Sequence, residues 1–159
     1  MKNLFILLVL LVSTMVVWAG KSDLGSSESE LSFKYTGKPA KPRPPSDNPV
    51  VASFKYKEMS ITATFIKDRC VRIVYRKPTA MKDRDEWAKL TDKILAANLD
   101  KARMWKKDKE QTKTIIGGVV TVLSTTYLRD DRTAQATVTA TSVELIISDG
   151  DSKSSNYKF

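Results

Sequence analysis

The chain has 159 residues, 42% of them hydrophobic, with 27 Lys and Arg against 18 Asp and Glu, a net charge of +9. That length suits one domain, and the excess charge favours anionic surfaces such as nucleic acid, lipid headgroups or acidic polysaccharide. There is no histidine and Cys70 is the single cysteine, so Ser-His-Asp and Cys-His catalysis and an intramolecular disulfide are excluded, and a zinc site is not expected.

The chain opens with one basic residue, Lys2, followed by an apolar run from Leu4 to Trp18. Val17-Trp18-Ala19 places small or modest residues before a cut, with Gly20 after it. This predicts a secretory signal peptide over residues 1–19, cleaved after Ala19, and a periplasmic or extracellular destination. The competing reading is a membrane anchor formed by uncleaved residues 4–20. Against it, the run falls short of the ~20 residues needed to span the hydrocarbon core.

From residue 20 to 49 the composition turns to serine, proline and lysine. Pro39, Pro42, Pro44, Pro45 and Pro49 favour an extended, solvated chain, so this stretch is expected to be a disordered linker, a tether or an envelope-contacting arm. It contains Ser32-Phe33-Lys34-Tyr35, which recurs as Ser53-Phe54-Lys55-Tyr56. The second copy fits the first strand of a domain, while the first has no assigned structure; the two copies can compete for one sheet edge or pair with each other.

The domain is expected over residues 50–149. Val50–Lys57 reads as a strand. Met59, Ile61, Ala63 and Phe65 then alternate with Ser60, Thr62 and Thr64, and Val71, Ile73 and Tyr75 alternate with Cys70, Arg72 and Arg76, the period of a β-hairpin. A three-residue loop, Lys67-Asp68-Arg69, pairs Phe65 with Val71, Ala63 with Ile73 and Ile61 with Tyr75, which keeps both apolar faces together. That register puts Cys70 on the opposite face and asks for a left-handed residue near Arg69.

Asp83-x-x-Glu86 is a capping-box variant opening a helix over Asp83–Asn98, with Trp87, Leu90, Ile94 and Ala97 on one face and Asn98 as a left-handed terminator. Residues 100–113 read as a lysine-rich basic loop with Met104-Trp105 as its apolar island; Trp105 is expected to cap the core under it, the alternative being an exposed aromatic within a cationic patch. Thr114–Leu128, interrupted by Gly117-Gly118, Thr133–Val138 and Val143–Ser148 supply further strands. Residues 150–159 form a polar tail expected to be disordered.

These elements predict an α+β fold, a single antiparallel sheet of about five to six strands with one amphipathic helix on one face, in the order β-β-β-α-β-β-β. The threonine-rich strand, the tight turn, Val71-x-Ile73-x-Tyr75, the capped helix ending Leu95-Ala96-Ala97-Asn98 and the closing Val143–Ser148 strand resemble a group of small exported bacterial proteins of unassigned function. The resemblance spans Ser60 to Ser148 and implies a fold only.

No pattern of catalytic chemistry stands out. Asp83, Asp85 and Glu86 fit a helix start, Asp130-Asp131 a turn, and Asp149-Gly150-Asp151 offers too few oxygens for calcium. No catalytic, cofactor-binding or metal-binding residue is therefore assigned, and enzymatic activity is not expected. The anionic-surface contacts expected from charge are Lys101, Arg103, Lys106, Lys107 and Lys109. Cys70, beside Arg69 and Arg72, reads first as a small strand residue covered by another element; the competing reading is a candidate reactive thiol, accessible, its pKa lowered and able to link two chains as a disulfide dimer. The function read here is an exported, non-enzymatic basic domain with a structural or interaction role at the cell envelope, weakly bound to anionic polymer or lipid headgroups. The alternative is a specific ligand- or protein-binding module, inhibitors included, using the sheet face that the helix leaves uncovered.

Overall fold

A computed structural model of the protein describes residues 22–99, 102, 104–115 and 118–148. The expected signal peptide or anchor, the polar tail and Gly117 lie outside the described residues. Seven strands form one antiparallel sheet in the order β1-β2-β3-β7-β6-β5-β4: β1 (Val50–Tyr56), β2 (Met59–Ile66), β3 (Arg69–Arg76), β4 (Trp105–Thr114), β5 (Val120–Arg129), β6 (Ala134–Thr139) and β7 (Ser142–Ile147). Two helices, α1 (Glu28–Thr36) and α2 (Arg84–Ala97), accompany it. The fold is therefore α+β on one antiparallel sheet, but with seven strands and two helices in the order α-β-β-β-α-β-β-β-β, instead of five to six strands and one helix in the order β-β-β-α-β-β-β.

Helix α1 lies inside the stretch expected to be a disordered linker. Ser27 and Glu30 form a reciprocal capping box at its start, and Gly37 (φ 73°) ends it by donating its N–H to Phe33 O in the left-handed conformation that glycine adopts without strain. Only Leu31 and Tyr35 give the helix its core-facing apolar contacts, so its apolar stripe is too thin to read from sequence. The two Ser-Phe-Lys-Tyr copies consequently adopt different structures and pack together. In α1, Phe33 and Tyr35 point apart, leaving Phe33 62% exposed and Tyr35 buried. In β1, Phe54 and Tyr56 share a face, and the Tyr35 ring meets both at 5.9 Å between centroids.

The hairpin of β2 and β3 corrects the expected loop. Its turn has two residues, Lys67 and Asp68, both left-handed (φ 51° and 57°), which matches the twist of a type I′ hairpin. Phe65 therefore faces Cys70. A bulge then absorbs Val71, so Thr64 faces Arg72, Ala63 faces Ile73 and Ile61 faces Tyr75. The apolar faces agree, as expected, through a bulge rather than a longer loop. The consequence is that Cys70 joins the core face and is fully buried.

Strand β4 replaces the expected basic loop. Its sequence, WKKDKEQTKT, shows no apolar alternation because it is a solvated edge strand, held by its ladder to β5. Trp105 is half-buried against the core, as expected, and donates its indole N–H to Leu95 O at 2.8 Å, serving the last turn of α2.

Both helices cover the same face of the sheet, where Ile61, Ile73, Tyr75, Val143, Leu145 and Ala136 form the floor. Trp87, Ile94 and Leu95 of α2 are buried on it, with Leu90 at the margin, as the helical periodicity predicts. Asp83 caps α2 by accepting from Asp85 N at 2.8 Å. Asn98 ends the helix at φ −111°, not in the left-handed conformation expected of it.

Candidate functional site

Three features of the structure have the chemistry of a site. The first is a buried polar seam that ties residues 22–26 to the sheet. Asn98 Oδ1 accepts from Ser22 Oγ (3.1 Å), Asp23 N (2.9 Å) and Leu24 N (3.3 Å), while its Nδ2 donates to Ile94 O at 2.9 Å. The Asp23 carboxylate accepts from Lys34 Nζ (2.6 Å), Tyr35 OH (2.7 Å) and Tyr75 OH (2.5 Å). Gly25 N donates to Cys70 O and Cys70 N to Ser26 O, each at 2.8 Å. Burial, and then the Asp23 charge, raises both tyrosine hydroxyls far above their ordinary range, so they remain neutral donors. Asp23 is 2% exposed and its carboxylate is met by three internal donors, which suits a clasp rather than a reaction centre.

Cys70 belongs to this seam. Burial pushes its thiol up to about 12, with the Asp23 charge adding to the rise and the hydrogen bond to Arg72 O opposing it. The accessible thiol of lowered pKa is thereby corrected, and Cys70 is the covered strand residue of the first reading. The two-residue turn puts the side chain in the core, where it is fully buried.

The second feature is a cleft of about 330 Å³ beside the seam, lined by Ser22, Leu24, Gly25, Arg69, Arg129, Thr133 and Ile147. Arg129 is committed within the protein, with Nε to Asp131 Oδ1 (3.1 Å), Nη1 to Asn98 O (3.3 Å) and Nη2 to Thr133 Oγ1. Burial draws the Asp131 carboxyl upward, but hydrogen bonds from Thr133 and Arg129 outweigh it and hold the group below the usual carboxylate range. Asp131 is thus a turn-stabilising acid, and Asp83 a helix cap.

The third feature is the lysine edge. Pairing through Thr126, Thr137, Glu144 and Val74 puts Lys109 on the face opposite the helices, and pairing of Lys106 with Leu128 does the same for Lys106. Strand alternation adds Lys113 to that face. All three are exposed, and the face continues inward through Thr126, Thr137 and Thr62 around the Arg72–Glu144 ion pair. Lys107 points to the helix side and is paired with Glu110, which raises its pKa. Asp108 sits at the bulge between them, exposed. Lys101 and Arg103, expected to join this group, lie outside the described residues.

Beyond the lysines, β4 and β5 continue as an arm. Strand β5 pairs with β6 only over Ser124–Leu128, so among the described residues Thr112–Thr114 and Val120–Val122 pair with each other alone. The arm's end exposes Ile115, Val119, Val120, Val122 and Leu123. Sequence reasoning missed it, because Thr114–Leu128 read as β-rich without any sign of which part lacks a neighbour on its other side. No family model, curated protein or solved structure matches this chain. Nor does any described helix have the length and apolarity to cross a membrane.

Proposed function

We propose that this is an exported, non-enzymatic interaction domain of the cell envelope that holds to anionic surfaces through the lysines of β4. The observation that carries the reading is the alignment of Lys106, Lys109 and Lys113 on one exposed face of an edge strand. Three cations spaced along a rigid ladder meet a polyanion together, without the ordering cost that separate flexible lysines incur. The contact is weak and salt-sensitive, because exposed charges are screened within about 8 Å at physiological ionic strength.

Retention on immobilised dextran sulfate tests this. The variant with Lys106, Lys109 and Lys113 all changed to Gln elutes at clearly lower salt than the wild type, whereas changing three lysines elsewhere, Lys55, Lys82 and Lys89, has a smaller effect. Equal shifts from both triple variants would mean that only net charge matters and would overturn the assignment to β4.

A second reading rests on the cleft beside the seam. Its volume and the Arg69 guanidinium suit a small anionic ligand, which would make the protein a specific binding module. Saturable binding of one small anion, lost in Arg69→Gln and resistant to salt, would favour this reading over the first.

A further inference from the structure

We infer that the end of the β4–β5 arm is a lipid-inserting tip, and that the anionic surface this protein engages is a bilayer. This rests on the reading of the lysine edge and deepens it by naming the partner. Exposed apolar side chains scattered singly need no explanation, but here Ile115, Val119, Val120, Val122 and Leu123 cluster at one projecting end, each about half exposed or more. The charge pattern around them is selective. From Gln111 to Arg129 there is no acidic residue, and Lys113 and Lys109 flank the tip on β4. A soluble polyanion would use the lysines and have no use for the valines. An anionic bilayer uses both, with cations at the headgroups and apolar side chains in the acyl boundary.

The backbone also suits shallow insertion. Ile115 N donates to Val119 O at 2.9 Å and Gly118 N to Ile115 O at 3.1 Å, so the turn satisfies these polar groups internally. Deep insertion is prevented by the outer edge of β4, whose unpaired backbone groups and lysines require water or headgroups. Two register shifts and the charged side chains of β4 likewise oppose pairing with a second copy along this edge. Trp105 and Arg129 mark the far end of the hairpin, near Ser22, about 30 Å from the tip at strand rise. The tip therefore contacts its membrane at the opposite end of the molecule from the start of the described chain.

The test uses the chain beginning at Gly20, which retains every described residue, and co-sedimentation with vesicles of phosphatidylcholine alone or mixed with phosphatidylglycerol. The wild type binds the mixed vesicles, and part of that binding survives about 0.5 M salt, where the screening length is only ~4 Å. Ile115→Ser with Val119→Ser lowers the partition coefficient about tenfold, while retention on dextran sulfate and the melting temperature stay unchanged. Unaltered vesicle binding by this double variant would overturn tip insertion and leave the lysine edge standing. Retention on dextran sulfate without any vesicle binding would overturn the bilayer as partner. Loss of both in the wild type would overturn the underlying function as well. A concentration-dependent dimer abolished by the double variant would assign the tip to a second copy and overturn the inference.

Discussion

The hydroxyl of Tyr75, on the inner strand β3, donates a 2.5 Å hydrogen bond to the carboxylate of Asp23, which precedes it by 52 residues. Tyr75 is 1% exposed and Asp23 2%, so the bond joins the inner strand β3 to the first described residues without solvent between them. Residues 22–36 are thus part of the folded unit, not a tether leading to it.

Removing that carboxylate takes away an acceptor shared by three donors. Asp23→Ala is expected to cost about 3 kcal/mol, because it removes the buried carboxylate that accepts from the Tyr35 and Tyr75 hydroxyls and from Lys34 Nζ. Tyr75→Phe removes one donor and keeps the ring, costing about 1–2 kcal/mol. Urea unfolding followed by tryptophan fluorescence reads both. Equal stability of Asp23→Ala and wild type would show that the seam does not hold the amino-terminal segment to the sheet.

The same seam sets the response to alkali. Tyr35 and Tyr75 have folded pKa values raised by burial and by Asp23 above the ordinary value near 10. Their contribution to stability is therefore complete below pH ~10 and is lost as pH rises from there toward the folded values. In a titration of phenolate absorbance, the buried Tyr35 and Tyr75 are expected to ionise only with unfolding. A single reversible step for every tyrosine, with tryptophan fluorescence unchanged, would contradict the buried arrangement.

Cys70 offers an independent readout of the two-residue turn. Its thiol is fully buried and raised to about 12, so iodoacetamide is expected to modify the native protein at least a hundredfold more slowly than the protein in urea. On a non-reducing gel the folded protein runs as a monomer. Rapid native alkylation would place Cys70 on the solvent face and restore the three-residue loop.

Helix α2 carries one buried polar atom without a partner among the described residues, Thr91 Oγ1. Thr91→Val keeps the shape and removes the unsatisfied hydroxyl, with an expected gain of about 1 kcal/mol. Ile94→Asp, one turn further along the same face, buries a carboxylate among apolar side chains and is expected to cost about 4 kcal/mol or more, enough to unfold the domain. Thermal melts of both variants check the packing of α2. A lowered melting temperature for the valine variant would mean that the hydroxyl has a partner, and an unchanged one for Ile94→Asp would overturn the placement of the helix.

Periodicity by itself determined the three amino-terminal strands, α2 and its buried face, and the closing strands β6 and β7, because each of these buries one side and so alternates visibly. It also determined that Ala63 faces Ile73 and Ile61 faces Tyr75, since any other register sends apolar side chains to water. What only the tertiary structure decided are the elements whose stability is not written in their own side chains. Strand β4 is polar on both faces and exists through its ladder to β5. Helix α1 has two core contacts and is held by caps and by the aromatic rings of β1. The place of Cys70 depended on whether the chain resolved one extra residue in the turn or in a bulge, and both choices keep the same apolar pairs further along. Asn98 reads as a helix end, yet its role comes from Ser22, Asp23 and Leu24, more than 70 residues away, which no local pattern brings to its side chain. The lysine face and the apolar tip share that origin: charge and hydrophobicity were plain in the sequence, but their alignment on one projecting arm followed from the pairing of β4 with β5.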